Sequence, residues 1–373
     1  MRKKRKRFSD GPIYAAGGAG LLFLLAVAVW PALESPLRRD MVDAARLMEK
    51  AEAALRDCRA RKGIPADASA DPNGTGVIGL ESSPVTTSLG NLAAKRTTAN
   101  PDFAALVVSL LDEAGVLRGD AVAVGASSSF PALIIATLAA ARVTGVEPLV
   151  ISSLGASEWG ANIPGFDWLD MADCLRSAGL LEGRPIALAI GGEGDVGRDM
   201  SPAGRDFLTA RIRASGILFV ECPDLRANVE SRLGIYADAA AGRPVKAFIN
   251  IGGSSANIGT NAEVLKLRSG LVRDAYVPAP VERGVLQAMA ARGVPVIHLL
   301  NIRGLCERYG LPWDPRPLPA SGAAGFYRRT AGRGRALAWL SAVYVLFVTA
   351  VLVSRKRDFR EMTALDTRGA GRR

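Results

Sequence analysis

Short apolar runs separated by amphipathic stretches organise the middle of this chain. The runs fall at residues 121–124, 148–151, 185–190, 216–220, 247–251 and 294–298. Between them, residues 131–143, 168–178, 202–214, 224–241 and 281–291 read as helices. This alternation predicts an α/β fold class: a mostly parallel sheet with helices on both faces. A further helix is expected over residues 101–114, where apolar residues recur at helical spacing. Upstream, Leu37, Met41, Ala45, Met48 and Leu55 recur at helical steps on an otherwise charged cylinder. That pattern predicts a helix over residues 34–62, either a stalk or a helix packed on the domain. Residues 63–75 carry Pro65, Asp67, Asp71, Pro72, Asn73 and Gly74 and read as a loop. Its acidic residues do not fall at the positions a calcium loop requires. No internal repeat is visible.

Two longer runs change the picture. Residues 13–33 are uncharged, rich in Leu, Ala and Val, and follow a solid basic block, RKKRKR, at residues 2–7. Residues 336–354 are again free of charge, with Trp339 and Tyr344 inside. Both are read as transmembrane helices, with a cleaved signal peptide as the rival reading of the first. The resulting organisation is a basic tail (1–12), a span (13–33), a juxtamembrane helix (34–62), an α/β domain (63–316), a Pro/Gly/Arg-rich linker (317–335), a second span (336–354) and a second basic tail (355–373). Basic residues flank the second span on both sides, so the block at residues 2–7 decides the topology. It places both tails in the cytoplasm and the domain outside a bacterial cytoplasmic membrane; the inverse arrangement, with a cytoplasmic domain, is the alternative.

Charge supports that division. The chain carries a formal net charge of +11, yet residues 1–10 hold +5 and residues 328–373 hold +8, so everything between them nets −2. A basic face on the folded domain, which nucleic-acid binding requires, is missing. Basic tails suit anionic membrane lipids. The single histidine, His298, excludes a multi-histidine metal site, and Cys58, Cys174, Cys222 and Cys306 fit no metal spacing. No cofactor and no metal are expected, and the cysteines read as buried or free thiols.

Candidate chemistry lies in four loops that follow predicted strands: GASSSF from Gly125, SSLGAS from Ser152, GGEGDVG from Gly191 and NIGGSSAN from Asn250. In a parallel sheet they share one rim, where backbone N–H groups and hydroxyls can meet an anionic ligand. Gly125, Ser128, Ser129, Ser152, Asn250, Gly252, Gly253 and Ser254 are the candidate ligand-binding residues. Such loops also need Gly for turns and Ser or Asn for helix caps. A catalytic reading makes Ser127 the nucleophile, His298 the base and Asp195 its orienting group, in the order of an α/β-hydrolase. Against it, Ser129 stands where the nucleophile elbow needs its last glycine, and His298 is flanked by Ile297, Leu299 and Leu300 as a core histidine would be.

Several stretches together resemble a known family. They are TGVIGLESSPVTTSLG from Thr75, AKRTTANPDFAALVV from Ala94, VGASSSFPAL from Val124, ISSLGAS from Ile151, WLDM from Trp168 and FINIGG from Phe248. They resemble the poly-gamma-glutamate system protein family, an accessory group in poly-gamma-glutamate biosynthesis. The likeness covers most of residues 35–310. It implies a cell-envelope role in making or exporting that capsule-like polyanion, beside a synthase ligase and a membrane subunit. It implies no reaction and brings no catalytic residues. The expectation is therefore a membrane-anchored binding or scaffold subunit, with the polymer a possible ligand through Lys95 and Arg96. The alternative is a serine hydrolase or transferase that trims, releases or attaches the polymer.

Overall fold

The computed structural model describes residues 11–29, 37–323, 325–327 and 333–370. In chain order the elements are α1 (Gly11–Val29), α2 (Arg38–Arg61), α3 (Leu92–Thr98), α4 (Asp102–Ala114), β1 (Ala121–Ser127), α5 (Pro131–Thr144), β2 (Glu147–Ser153), α6 (Trp168–Ser177), β3 (Ala187–Ala189), α7 (Pro202–Ser215), β4 (Leu218–Phe219), α8 (Leu225–Ala239), β5 (Val245–Ile251), α9 (Ser255–Ile258), β6 (Gly270–Val272), α10 (Val285–Ala290), β7 (Val296–Leu299), α11 (Ile302–Tyr309) and α12 (Arg333–Ala370). They fall into two units, residues 36–327 and a second unit containing α1 and α12.

The larger unit is built on a seven-stranded sheet of order β4-β3-β2-β1-β5-β7-β6. All neighbours pair in parallel except β6, which runs antiparallel to β7. The chain winds from β1 to β4 in one direction, then returns to β5 on the other side of β1. The crevice between the carboxyl ends of β1 and β5 is thus the topological switch point, where open α/β sheets bind ligands.

Side-chain alternation sorts the two faces. Val122, Val124 and Ala126 of β1, with Ala247, Ile249 and Ile251 of β5, join a core with residues of α2, α4, α5, α6, α7 and α11. Ala121 and Ala123 of β1, with Phe248 of β5 and Val296 of β7, pack on α8 and α10. Ser127, Asn250 and His298 share the period of this second set, so polar groups lie on the α8/α10 side near the strand ends. Fully buried Phe103, Leu106 and Leu110 of α4 and Leu55 of α2 anchor the first layer. Each such side chain contributes roughly 1.5–3 kcal/mol.

α2 packs on the domain through Met41, Ala44, Ala45, Met48, Ala51 and Leu55, all buried. It is therefore no stalk. The segment expected as a linker is docked as far as Tyr327, which is 1% exposed and donates its hydroxyl to Asp102 Oδ1 at 2.5 Å. Cys58 of α2 and Cys174 of α6 form a disulfide across 116 positions of sequence, correcting the expectation of unpaired thiols. Cys222 and Cys306 are free.

The two-pass membrane organisation is also corrected. Among the described residues, no helix is long and apolar enough to cross a membrane. The 19 residues of α1 include Gly11, Pro12, Gly17, Gly18 and Gly20 in the first half, and residues 30–33 of the expected span lie outside the described residues. α12 runs 38 residues but carries charged residues at both ends, and its helix continues through what was expected to be a tail. Within this unit the rings of Phe23 and Tyr344 stack with centroids 5.7 Å apart. The placement of both tails in the cytoplasm and the domain outside falls with the spans. Residues 1–10, which hold the whole basic block that decided that topology, lie outside the described residues.

The Cys58–Cys174 bond closes a long loop of the unfolded chain. Its removal by Cys58→Ala with Cys174→Ala is expected to lower the unfolding free energy by about 2–5 kcal/mol. Urea denaturation reads this as a lower midpoint, and an unchanged midpoint would show that the bond contributes nothing.

Candidate functional site

The carboxyl end of the sheet holds three polar centres, arranged around the turn that follows β1. The first is on the β1–β2 side. Lys95, on the inner face of the short helix α3, is 2% exposed. Its Nζ donates to the Ser129 carbonyl, lies 2.7 Å from Ser157 Oγ and sits 4.0 Å over the Phe130 ring centroid. Ser129 Oγ in turn accepts the Ser157 N–H at 2.9 Å. Burial lowers the Lys95 pKa to about 7, against the opposing pull of Glu158. Glu158 accepts the Gly90 N–H at 2.8 Å, which ties in the 75–90 segment. Asn162 fastens the same segment, accepting from Leu80 N–H and donating to the Leu80 carbonyl, both at 2.8 Å.

The second centre lies on the β2–β3 side. Asp195 is buried, with φ of 62° in a single helical turn after β3. Its carboxylate accepts from Ser153 Oγ at 3.0 Å, Asn228 Nδ2 at 2.9 Å and Arg232 Nη2 at 2.6 Å. Arg232 Nε donates to Asn228 Oδ1 at 2.8 Å, closing the network. Both members of the Asp195–Arg232 ion pair have fully buried side chains.

The third centre is at the switch point. Asn250 pairs in register with Gly125 on one side and His298 on the other. Its Nδ2 donates to the Gly252 carbonyl at 2.8 Å and lies 3.1 Å from His298 Nδ1. Asn257 lays its amide across Gly125, where any Cβ would collide with it. Asn257 Oδ1 and Nδ2, Asn250 Oδ1 and Ser254 Oγ are buried and have no partner among the described residues. Gly252, at φ of 79°, faces Ser127, and Gly253 is exposed at the rim.

The expected triad is not assembled in this geometry. Ser127 Oγ accepts the Ser129 N–H at 3.3 Å. β5 separates β1 from β7, so the backbones bearing Ser127 and His298 are two strand spacings, roughly 10 Å, apart. Asp195 is committed to Arg232, Asn228 and Ser153, and His298 faces Asn250. The candidate ligand residues, by contrast, do gather at one end of the sheet. Ser128 and Ser152 are fully buried there, with hydroxyls that have no partner among the described residues. Sequence reading missed Asn228, Arg232 and the burial of Lys95, and it named the loop that ends at Asn257 without singling that residue out. One signal was available: Arg232 interrupts an apolar stripe of Val229, Leu233 and Tyr236 on α8, as a buried charge with a partner would.

No family model, curated protein or solved structure matches this chain.

Two outcomes follow from the buried charges. Asp195→Ala leaves Arg232 unpaired and is expected to cost about 3–5 kcal/mol of stability, whereas Asp195→Leu with Arg232→Leu costs less. Equal losses in chemical denaturation would refute the paired reading. For His298, burial lowers the pKa from 6.5 to about 4. Between those values the unfolded chain binds a proton that the folded chain does not. Stability should therefore fall as pH drops from 6.5 to 4, by up to about 3 kcal/mol. His298→Asn should flatten that slope in urea melts, and an unchanged slope would assign it to other groups.

Proposed function

We propose that this chain is an accessory component of poly-gamma-glutamate synthesis or export, acting as a binding or scaffold subunit beside the synthase ligase and its membrane subunit. The reading rests on the resemblance carried by the motifs. One observation supports it most: stretches far apart in sequence, 75–90, 94–101, 124–131, 151–157 and 248–253, converge at the carboxyl end of one sheet. Lys95, Ser129, Ser157 and Glu158 tie the first four of these to one another, and Asn250 braces the fifth on its own Gly252 carbonyl. Such mutual bonding fixes a surface in one shape, which is what a docking site requires. A Ser127 relay through His298 to Asp195 has no support in the hydrogen bonds of those residues.

Complementation tests this. The gene is deleted in its host and restored as wild type, Ser127→Ala or Gly253→Trp, with protein accumulation checked by immunoblot. Gly253 is exposed, and a Cβ there meets nothing nearer than 3.8 Å, so tryptophan covers the rim without disturbing the fold. Ser127→Ala should restore polymer fully. Gly253→Trp should lower polymer yield by roughly tenfold or more, the effect of losing about 1.4 kcal/mol of binding. Full yield from a normally accumulating Gly253→Trp protein would remove the rim from the function.

A further inference from the structure

We propose that Ser157 and Lys95 form a serine–lysine acyl-transfer pair, a nucleophilic centre one loop away from the serine that sequence order suggests. This goes beyond a binding role, and it does not depend on which polymer or partner the chain serves.

The geometry is that of a nucleophile and its base. Ser157 Oγ and Lys95 Nζ are 2.7 Å apart, within the reach that proton transfer needs. The second contact of Nζ, with the Ser129 carbonyl, can only be a donated hydrogen bond. In its neutral form the amine donates there and turns its lone pair to the Ser157 hydroxyl. The aromatic face of Phe130 closes a third side. The base is therefore held by a third group, as activated nucleophiles require. Burial favours the neutral amine, and Glu158, the charged group facing it among the described residues, opposes this without bonding it.

The pair is almost wholly enclosed. Lys95 is 2% exposed and Ser157 is 7% exposed. The chain reverses directly after Ser157, with Trp159 at φ of 62°, a conformation costly for a bulky residue. Bonds from Trp159 N–H to the Leu80 carbonyl and from Gly160 N–H to the Ser157 carbonyl hold that turn. The outer wall is the segment through Thr87, Ser88 and Leu89, which reaches the Ser157 loop through Thr87 N–H to Ala156 O and Glu158 N–H to Ser88 O. This wall is part of the TGVIGLESSPVTTSLG stretch, which the Ser127 reading leaves without a role.

The substrate class is an acyl group in an amide or ester. Ser157 Oγ attacks the carbonyl carbon and gives its proton to Lys95, while the carbonyl π pair moves to oxygen. Collapse of the tetrahedral adduct breaks the bond to the leaving amine or alcohol, which takes the proton from Lys95. The acyl-serine is then attacked by water or by an acceptor amine, with Lys95 as base again, and the free hydroxyl returns.

The full chain is treated with a fluorophosphonate, and the modified residue is located by peptide mass spectrometry. Ser157 should be labelled, and Ser127→Ala protein should label at the wild-type rate. Ser157→Ala, which removes only a hydroxyl, should abolish the label. Lys95→Met should slow it by roughly 100-fold or more, the usual contribution of a general base. The wild-type rate should rise with pH through a midpoint near 7, as Lys95 loses its proton. If Lys95→Met does not fold, the wild-type pH profile and Ser157→Cys stand in. That thiol should alkylate with a midpoint well below the ordinary cysteine value of about 8.5. No labelling of Ser157 between about pH 6 and pH 9, or an equal rate in folded Lys95→Met, overturns the proposal.

Discussion

Lys95 has to be accommodated without water, and much of the carboxyl end of the sheet is arranged around that need. An amine in a buried position is costly to charge, by several kcal/mol. Here it meets a carbonyl, a hydroxyl and an aromatic face, and it titrates at about 7. Those three partners belong to two different strand-to-helix turns, so α3, the turn after β1 and the loop after β2 are fixed against one another. Close backbone approach follows from that convergence. A Cβ at Gly160 would lie 2.8 Å from the Ser129 Cα, and one at Gly90 would strike the Glu158 carbonyl. These glycines are required by contact between loops, a constraint that no single turn imposes.

The Asp195–Arg232 pair solves a similar problem on the neighbouring strand, and it explains why chain order misled the catalytic reading. A triad is defined by distances and roles, and the same order of residue types along a chain can arise with no such geometry. In this sheet the chain leaves β1 in one direction and comes back on its other side. A residue ending β3 and one ending β7 are thereby carried to opposite sides of Ser127. Asp195 meets the arginine that α8 brings down beside Ser153, and His298 meets Asn250 on the next strand. Each titratable group is satisfied locally. Local satisfaction keeps a charged pair or a neutral imidazole inside a domain, and it leaves Ser127 without a base.

Much of the fold was legible because the sheet is parallel and covered on both faces. Its strands are continuous apolar runs and its helices are amphipathic, so both periods stand out in the sequence. β6 escaped notice for a physical reason: Gly270–Val272 is a three-residue antiparallel edge strand with too little apolar length to register. The Cys58–Cys174 bond escaped because its two ends meet only once α2 packs beside α6, 116 positions apart. Lys95 was legible only as a basic residue beside Arg96, since burial by a distant loop leaves no trace in local composition. Membrane spans were read from hydropathy alone, and the helices that formed there do not bear the reading out. The rim residues were legible as a group because small polar loops after strands must share one end of a parallel sheet. Which of them touch was not, because that depends on strand order.

Strand order also accounts for the concentration of unsatisfied polar atoms. Where β1, β5 and β7 end, alternation sends Ser127, Asn250 and His298 toward the α8/α10 side, and Asn257 enters the same layer from α9. An orphaned polar group of this kind costs about 1–3 kcal/mol, and Asn257 alone has two atoms without a partner among the described residues. A domain with a core as large as this one can carry that cost, but selection for stability would replace an asparagine lying across Gly125 with something apolar. Local choices that work against the fold are expected where a sequence answers to function. They occur here at the switch point of the sheet and in the loops that lock onto it, the end of the domain from which both proposals are argued.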